Sequence, residues 1–390
     1  MLRRMSAAPH LYDELPSVPP ALPPLTVLPG NDTEARLRAA ESLTENNKHA
    51  AALDALQGLW DDVHDDLPLA FRHRLAAAWA EMYCGRLDVA AALLTQADGI
   101  AQSPHFDAAD RAAVLYRRGC VELKRANVAE ATSLFTRSLE TNARSAHPSL
   151  LVAAGVRNWR SRCYQLGRDW DAAARDAEAS LELATDAGCE RSRAHAMFQA
   201  SLVAERQRQW LLARFHAEQA LEIYRRNGDV LSTARILNNL GGIDFLLGDV
   251  AAAEKSLLEA ASTAAEAGSD ADIAQATSSL AQVYLRTDRP DGARTHAHAA
   301  LDLLAGRVDF LEEIGNAQLV VAKSHAAEQD AAAATAWLDR AEQTFSKLDS
   351  TSHLAAVCVA RGDLARLQGE EHEAADYYRR AAESLQDFHF

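Results

Sequence analysis

Small residues fall at fixed places within segments of helical periodicity along most of the chain. In LNNLGGIDFLLGDVAAAEKSLLEAA, residues 237–261, Gly241, Ala253 and Ala260 stand twelve and then seven positions apart, with large apolar residues between them. Equivalent sets are Gly119, Ala131, Ser138; Ser161, Ala173, Ser180; Ser201, Ala213, Ala220; Ala281, Ala293, Ala300; Ala322, Ala334, Ala341; and Gly362, Ala374, Ala381. Weaker copies are Ala78, Ala90, Ala97 and Ala40, Ala52. The middle member falls at 52, 90, 131, 173, 213, 253, 293, 334 and 374, so the unit recurs every 38 to 42 residues. A fixed period of this length marks an array of supersecondary units that bury their apolar faces against one another. Glycine costs a helix interior about 1 kcal/mol relative to alanine. Gly241 therefore belongs where two antiparallel helices approach closely, a position that only Gly, Ala or Ser can occupy.

This spacing, together with YQLGRDWDAAARDAEASLELA, RQWLLARFHAEQALEIY and LQGEEHEAADYYRRAAESL, resembles the tetratricopeptide repeat family over about residues 34–390. The resemblance implies an all-α, right-handed superhelical solenoid of about nine antiparallel helix pairs. The period near 40 is similar to that of the longer repeats of kinesin light chains and bacterial regulators. It also falls in the range of HEAT-type repeats, although the small-residue spacing favours the tetratricopeptide reading. Residues 1–33 form a separate segment, because seven of the 11 prolines lie in the first 29 residues and LPSVPPALPPLTVLPG cannot continue a helix. That composition predicts a proline-rich N-terminal arm, either a semi-rigid polyproline segment or a flexible, disordered leader.

Composition narrows the function. The 390 residues are 48% hydrophobic but only 6% aromatic, which suits a long helical protein. No apolar run is long enough for an export signal or a membrane span, so a cytoplasmic protein without membrane contact is expected. The formal net charge of -15 argues against direct nucleic-acid binding. Five scattered cysteines show no metal or redox spacing and read as buried small hydrophobes. GGIDF lies in a helix-packing context and not after a strand, so it is no nucleotide cradle. His296 and His298 lie two apart on one helix, on different faces, and read as surface residues. Neither an enzyme nor a cofactor is expected.

In the resembled family the first helix of each pair lines a concave wall. Counting from the first small residue, the positions six, three and two before it, and one and four after it, should face the groove. This gives Arg235, Asn238, Asn239 and Phe245; Tyr116 and Arg117; Asn158, Trp159 and Arg162; His195, Phe198, Gln199 and Glu205; and Gln275, Ser278, Ser279 and Gln282. Lys124, Arg206 and Arg286 fall beside the same face. In an acidic chain the wall is thus basic, amide-rich and aromatic. Asn and Gln pair with both N–H and C=O of an extended peptide, Arg adds bonds to carboxylates, and the aromatic rings anchor apolar groups. Asn158, Arg162, Gln199, Arg235 and Asn239 also occupy the places at which chaperone-binding members of the family hold a terminal carboxylate.

A scaffold or adaptor that binds an acidic or carboxylate-containing peptide of a partner protein is the leading expectation. Its alternatives are a peptide-responsive sensor of a bacterial regulatory system and a structural assembly subunit. Leu385, Phe388 and Phe390 end the last helix without a polar cap, which allows a homodimer through that helix.

Overall fold

A computed structural model describes residues 33–307, 310–348 and 351–386, and among them there are 19 α-helices and no strand. They pair in chain order. The first pair is α1 (Thr33–Glu45) with α2 (His49–Leu56), trailed by the single turn α3 (Trp60–Val63). Then follow α4 (Leu67–Tyr83) with α5 (Leu87–Ile100), α6 (Ala108–Lys124) with α7 (Val128–Asn142), and α8 (Leu150–Leu166) with α9 (Trp170–Asp186). The middle pairs are α10 (Glu190–Arg206) with α11 (Trp210–Arg226) and α12 (Val230–Leu246) with α13 (Val250–Glu266). The last three are α14 (Asp270–Arg286) with α15 (Pro290–Leu303), α16 (Leu311–Ala327) with α17 (Ala331–Ser346), and α18 (Thr351–Leu367) with α19 (Glu371–Gln386). The proline-rich arm, the side chain of Leu385, and Phe388 and Phe390 lie outside the described residues.

Tight turns set the antiparallel pairing. Between α12 and α13 the chain reverses through Gly248 at φ 87, and Asp249 then caps α13 by accepting from the Ala252 amide at 3.0 Å. Ala126, Arg168, Arg208 and Gln329 take the same left-handed turn position without being glycine.

Packing explains the small residues. Ala131, Ala173, Ala213, Ala253, Ala293 and Ala334 are all 0% exposed. A Cβ on Gly241 would stand 2.5 Å from Leu257 Cγ, so glycine there admits a leucine from the partner helix. Where serine takes the place, its hydroxyl is used: Ser161 donates to the Ala173 carbonyl at 2.8 Å, and Ser180 to that of Ala154 at 2.8 Å. Buried hydroxyls are thereby satisfied without widening the helix contact.

First helices also touch the first helices of neighbouring pairs, from α4 with α6 through α16 with α18, whereas no comparable contact joins one second helix to another. The first helices therefore form the inside of a curved wall. Two readings of the sequence need correction. His296 and His298 are half-buried against Tyr284 and Trp337, with ring centroids 5.1 and 5.2 Å away, and burial lowers the pKa of both. Of the five cysteines, all free, Cys120 and Cys163 are buried while Cys84, Cys189 and Cys358 are half-buried.

Candidate peptide-binding groove

The inner wall carries most of the residues that the repeat count assigns to it, but not all of them face open space. Arg162, Arg235, Gln282 and Arg286 are exposed; Tyr116, Arg117, Asn158, His195, Phe198, Asn238, Asn239 and Phe245 are half-buried. Trp159 and Gln199 are the corrections: at 7% and 5% exposed they are packed into the wall. Trp159 meets Trp79 edge-on at 6.2 Å, and Trp79 in turn lies 5.9 Å from Tyr116. These rings bind α4, α6 and α8 together and leave only an edge for a ligand.

Several polar groups are already engaged. Asn239 accepts from the Ser201 hydroxyl at 2.8 Å and donates to Glu205 at 3.0 Å, so it joins α12 to α10. Arg235 donates to both oxygens of Asp272, at 2.8 and 3.0 Å, and Asp272 is 9% exposed. Burial disfavours the Arg235 charge, but these bonds outweigh it and raise its pKa. His195 shares a hydrogen bond with the Tyr224 hydroxyl at 2.9 Å, and burial pushes its pKa down. Of the five clamp positions, Gln199 is buried with its side-chain nitrogen unpartnered, while Arg235 and Asn239 are committed to the protein itself. Asn158 and Arg162 are not, and the Asn158 side-chain oxygen is buried without a hydrogen-bond partner.

What remains unengaged is positive. Lys124, Arg162, Arg206, Arg286 and Lys323 line the first helices with no carboxylate within ion-pair distance among the described residues. Arg162 stacks over the Trp159 ring at 5.1 Å, Arg286 over Phe245 at 5.7 Å, and the Lys124 ammonium over Tyr83 at 5.1 Å. Burial lowers the Lys124 pKa, and Arg162 and Arg235 lower it further. Atoms on a concave wall can reach water and still be ringed by protein, which is why these charges feel one another. Lys323 and Asn316 were not singled out from the sequence, although the count from Ala322 reaches both: one position after it and six before it.

A second missed feature closes one side of this space. The tip between α1 and α2 reaches the far wall: Asn47 donates to Asp229 at 3.1 Å, while Arg191 donates to the Glu45 carbonyl and, at 2.9 Å, to Asn46. His49 follows directly and stacks on Tyr83, ring centroids 4.3 Å apart and planes within 7°. Burial, then Lys124 and Arg235, lowers its pKa to about 4. The first pair thus spans from α4 to the starts of α10 and α12. No helix among the described residues is long and apolar enough to cross a membrane, and none of their His, Cys, Asp and Glu side chains are grouped to hold a metal.

Comparisons with known proteins agree with this architecture. A tetratricopeptide repeat family model matches residues 232–305. No curated protein sequence matches the chain. Among solved structures, a Rap protein complexed with competence and sporulation factor is similar at TM-score 0.65 and 18% identity, covering 91% of this chain and 98% of that one. The apo form of the quorum sensor NprR from B. thuringiensis is similar at TM-score 0.66 and 13% identity, covering 91% and 99%. NprR in complex with its cognate peptide NprX gives 0.56 at 13% identity over the same shares. At such identities the likeness shows the fold. With the repeat of small residues and the nine helix pairs, it gives the described residues the fold of a tetratricopeptide-type helical solenoid, and residues 232–305 match the tetratricopeptide repeat family model itself.

Proposed function

We propose that the protein binds an extended, acidic or carboxylate-containing peptide segment along its inner wall, and that it acts by binding rather than by catalysis. The observation that carries this reading is the row of cations without carboxylate partners, Lys124, Arg162, Arg206, Arg286 and Lys323, inside a chain of net charge -15. Gathering like charges on a concave wall is unfavourable by itself and is relieved by an anionic ligand. Five free cysteines accord with a reducing, cytoplasmic compartment.

The tip of the first pair favours the sensor form of this reading over a passive scaffold. Because Asn47 and Arg191 join the first pair to α10 and α12, a peptide lying between them alters or uses that contact. Among the similar structures, a Rap protein is complexed with competence and sporulation factor and NprR with its cognate peptide NprX, which supports a peptide ligand here.

The test is fluorescence anisotropy of a labelled, acetylated hexaglutamate peptide, with a hexaglutamine peptide as control. The acidic probe should bind more tightly, lose affinity as salt is raised, and bind about tenfold more weakly to a Lys124→Ala, Arg162→Ala variant, equivalent to about 1.4 kcal/mol. Equal binding of both peptides, or full affinity in the variant, would overturn the groove reading.

A further inference from the structure

Among the second helices, α11 presents an outer face of a different kind. Leu211, Leu212 and Phe215 are 74%, 44% and 55% exposed. Phe215 lies four positions beyond Leu211 and three beyond Leu212, so all three share one side of the helix. One repeat earlier the same places hold Asp171, Ala172 and Arg175 on α9, and one repeat later Ala251, Ala252 and Lys255 on α13. The repeat fold therefore does not call for large apolar residues there, and clustered apolar surface of this sort marks a contact.

Charges border the patch on both sides. Further along α11 they are paired: Arg214 bonds Glu218 at 2.9 Å, and Arg226 bonds Glu190 at 2.8 Å. At the start of the helix they are not. Arg206 ends α10 and Arg208 forms the turn, and both are exposed with no carboxylate within ion-pair distance among the described residues. Glu205, next to Arg206, is engaged by Asn239. A cover for this face must therefore be apolar and acidic at once.

We infer that residues 11–15 of the protein's own N-terminal arm, LYDEL, cover the outer face of α11. Leu11, Tyr12 and Leu15 match Leu211, Leu212 and Phe215, and Asp13 and Glu14, the only acids among the first 30 residues, match Arg206 and Arg208. The reach suffices. Tyr12 precedes Thr33 by 21 residues, a span of about 65 Å at about 3.1 Å per residue. From Thr33, α1 runs about 20 Å to its bond with Arg191 at the start of α10, and α10 with its turn leads about 30 Å further to Leu211. A second copy is a poorer cover, because two such patches would set Arg206 and Arg208 against their own counterparts. The inner wall also holds unpaired cations, but there the rings lie half-buried beneath them. With the arm in place, α11 is a reserved contact surface, open only to a partner whose own acidic and apolar segment displaces residues 11–15. This inference stands apart from the peptide-binding reading of the inner wall.

The test uses the full chain with the photoreactive residue benzoylphenylalanine in place of Tyr12, and cross-linked sites are mapped by mass spectrometry. Cross-links within one chain to residues 206–219 are the expected result. Their yield should be independent of protein concentration and fall about tenfold with Asp13→Lys and Glu14→Lys together, and equally with Leu211→Ser and Phe215→Ser. Those substitutions fall on the arm and on exposed positions, and the map on the otherwise unaltered chain needs neither pair. Cross-links to the inner wall, or none to the helices, overturn the proposal. Cross-links between two chains overturn it in favour of a second copy. A yield on α11 that neither pair of substitutions changes also overturns it, since the contact would then owe nothing to these side chains.

Discussion

Two adjacent glycines in α12, which look alike in the sequence, should respond to alanine in opposite ways. A Cβ on Gly241 would lie 2.5 and 2.7 Å from Leu257 Cγ and Cδ2, and 3.2 Å from the Ala253 carbonyl oxygen. Leu257 is 1% exposed and packs on Leu280 and Val283, so it has no free rotamer to retreat to, and the carbonyl belongs to the partner helix backbone. Overpacking of this kind costs about 1–3 kcal/mol, against about 1 kcal/mol recovered from helix propensity, for a net loss of about 1–2 kcal/mol in Gly241→Ala. Gly242 has nothing within 4 Å of the corresponding position, so Gly242→Ala should gain about 0.5–1 kcal/mol. A long repeat array need not unfold in one step, so the assay is amide hydrogen exchange read over α12 and α13 rather than a single melting temperature. Gly241→Ala should speed exchange there and Gly242→Ala should slow it. A shift of the same sign in both variants would refute the close-approach argument.

Arg235→Ala should lower stability by about 1–3 kcal/mol, because it strips Asp272 of a two-fold hydrogen-bonded cation, whereas Arg162→Ala should stay within about 0.5 kcal/mol; urea titration of both variants checks this and identifies Arg162 as the cleaner probe of binding. His49 should make the fold sensitive to acid. With a folded pKa of about 4 against 6.5, the ring stays neutral in the fold, so its contribution is complete above pH 6.5 and is lost as pH falls toward 4. The unscreened limit is about 1.4 kcal/mol per pH unit, reduced by solvent around a half-buried ring; urea midpoints from pH 7.5 to 4.5 should fall less steeply in His49→Phe. Joint replacement of Asn47 and Arg191 by alanine should speed exchange in residues 33–63 by more than tenfold, and unchanged exchange would mean that those bonds do not hold the first pair in place.

The repeat was legible because its cause is local. Ala253 must meet Gly241, twelve residues away, whatever the rest of the chain does, and Ser161 meets Ala173 at the same spacing. The inner face was legible only as a register. The count places Asn239 and Gln199 on the correct helices, but what each does is set by a side chain in the next repeat: Ser201 and Glu205 engage Asn239, and the wall encloses Gln199. Asn316 and Lys323 obey the same count and needed only its extension to Ala322. The contact from Asn47 to Asp229 had no signature in the sequence, since it depends on curvature accumulated over several intervening pairs.

That contact also changes how the molecule should fold. A simple solenoid is close to one-dimensional: each unit stabilises its neighbours, any stretch can nucleate, and an end frays without consequence for the middle. Joining Asn47 to Asp229 ties positions 182 residues apart. The entropy of closing so long a span rises only slowly with its length, but the contact cannot form until α4 through α10 have assembled and brought the partners together. The first pair should therefore dock late and slowly, as non-local contacts do. Once docked, it lends the start of the array the cooperativity of the centre, where an open solenoid would leave its weakest and most degenerate repeat to fray alone.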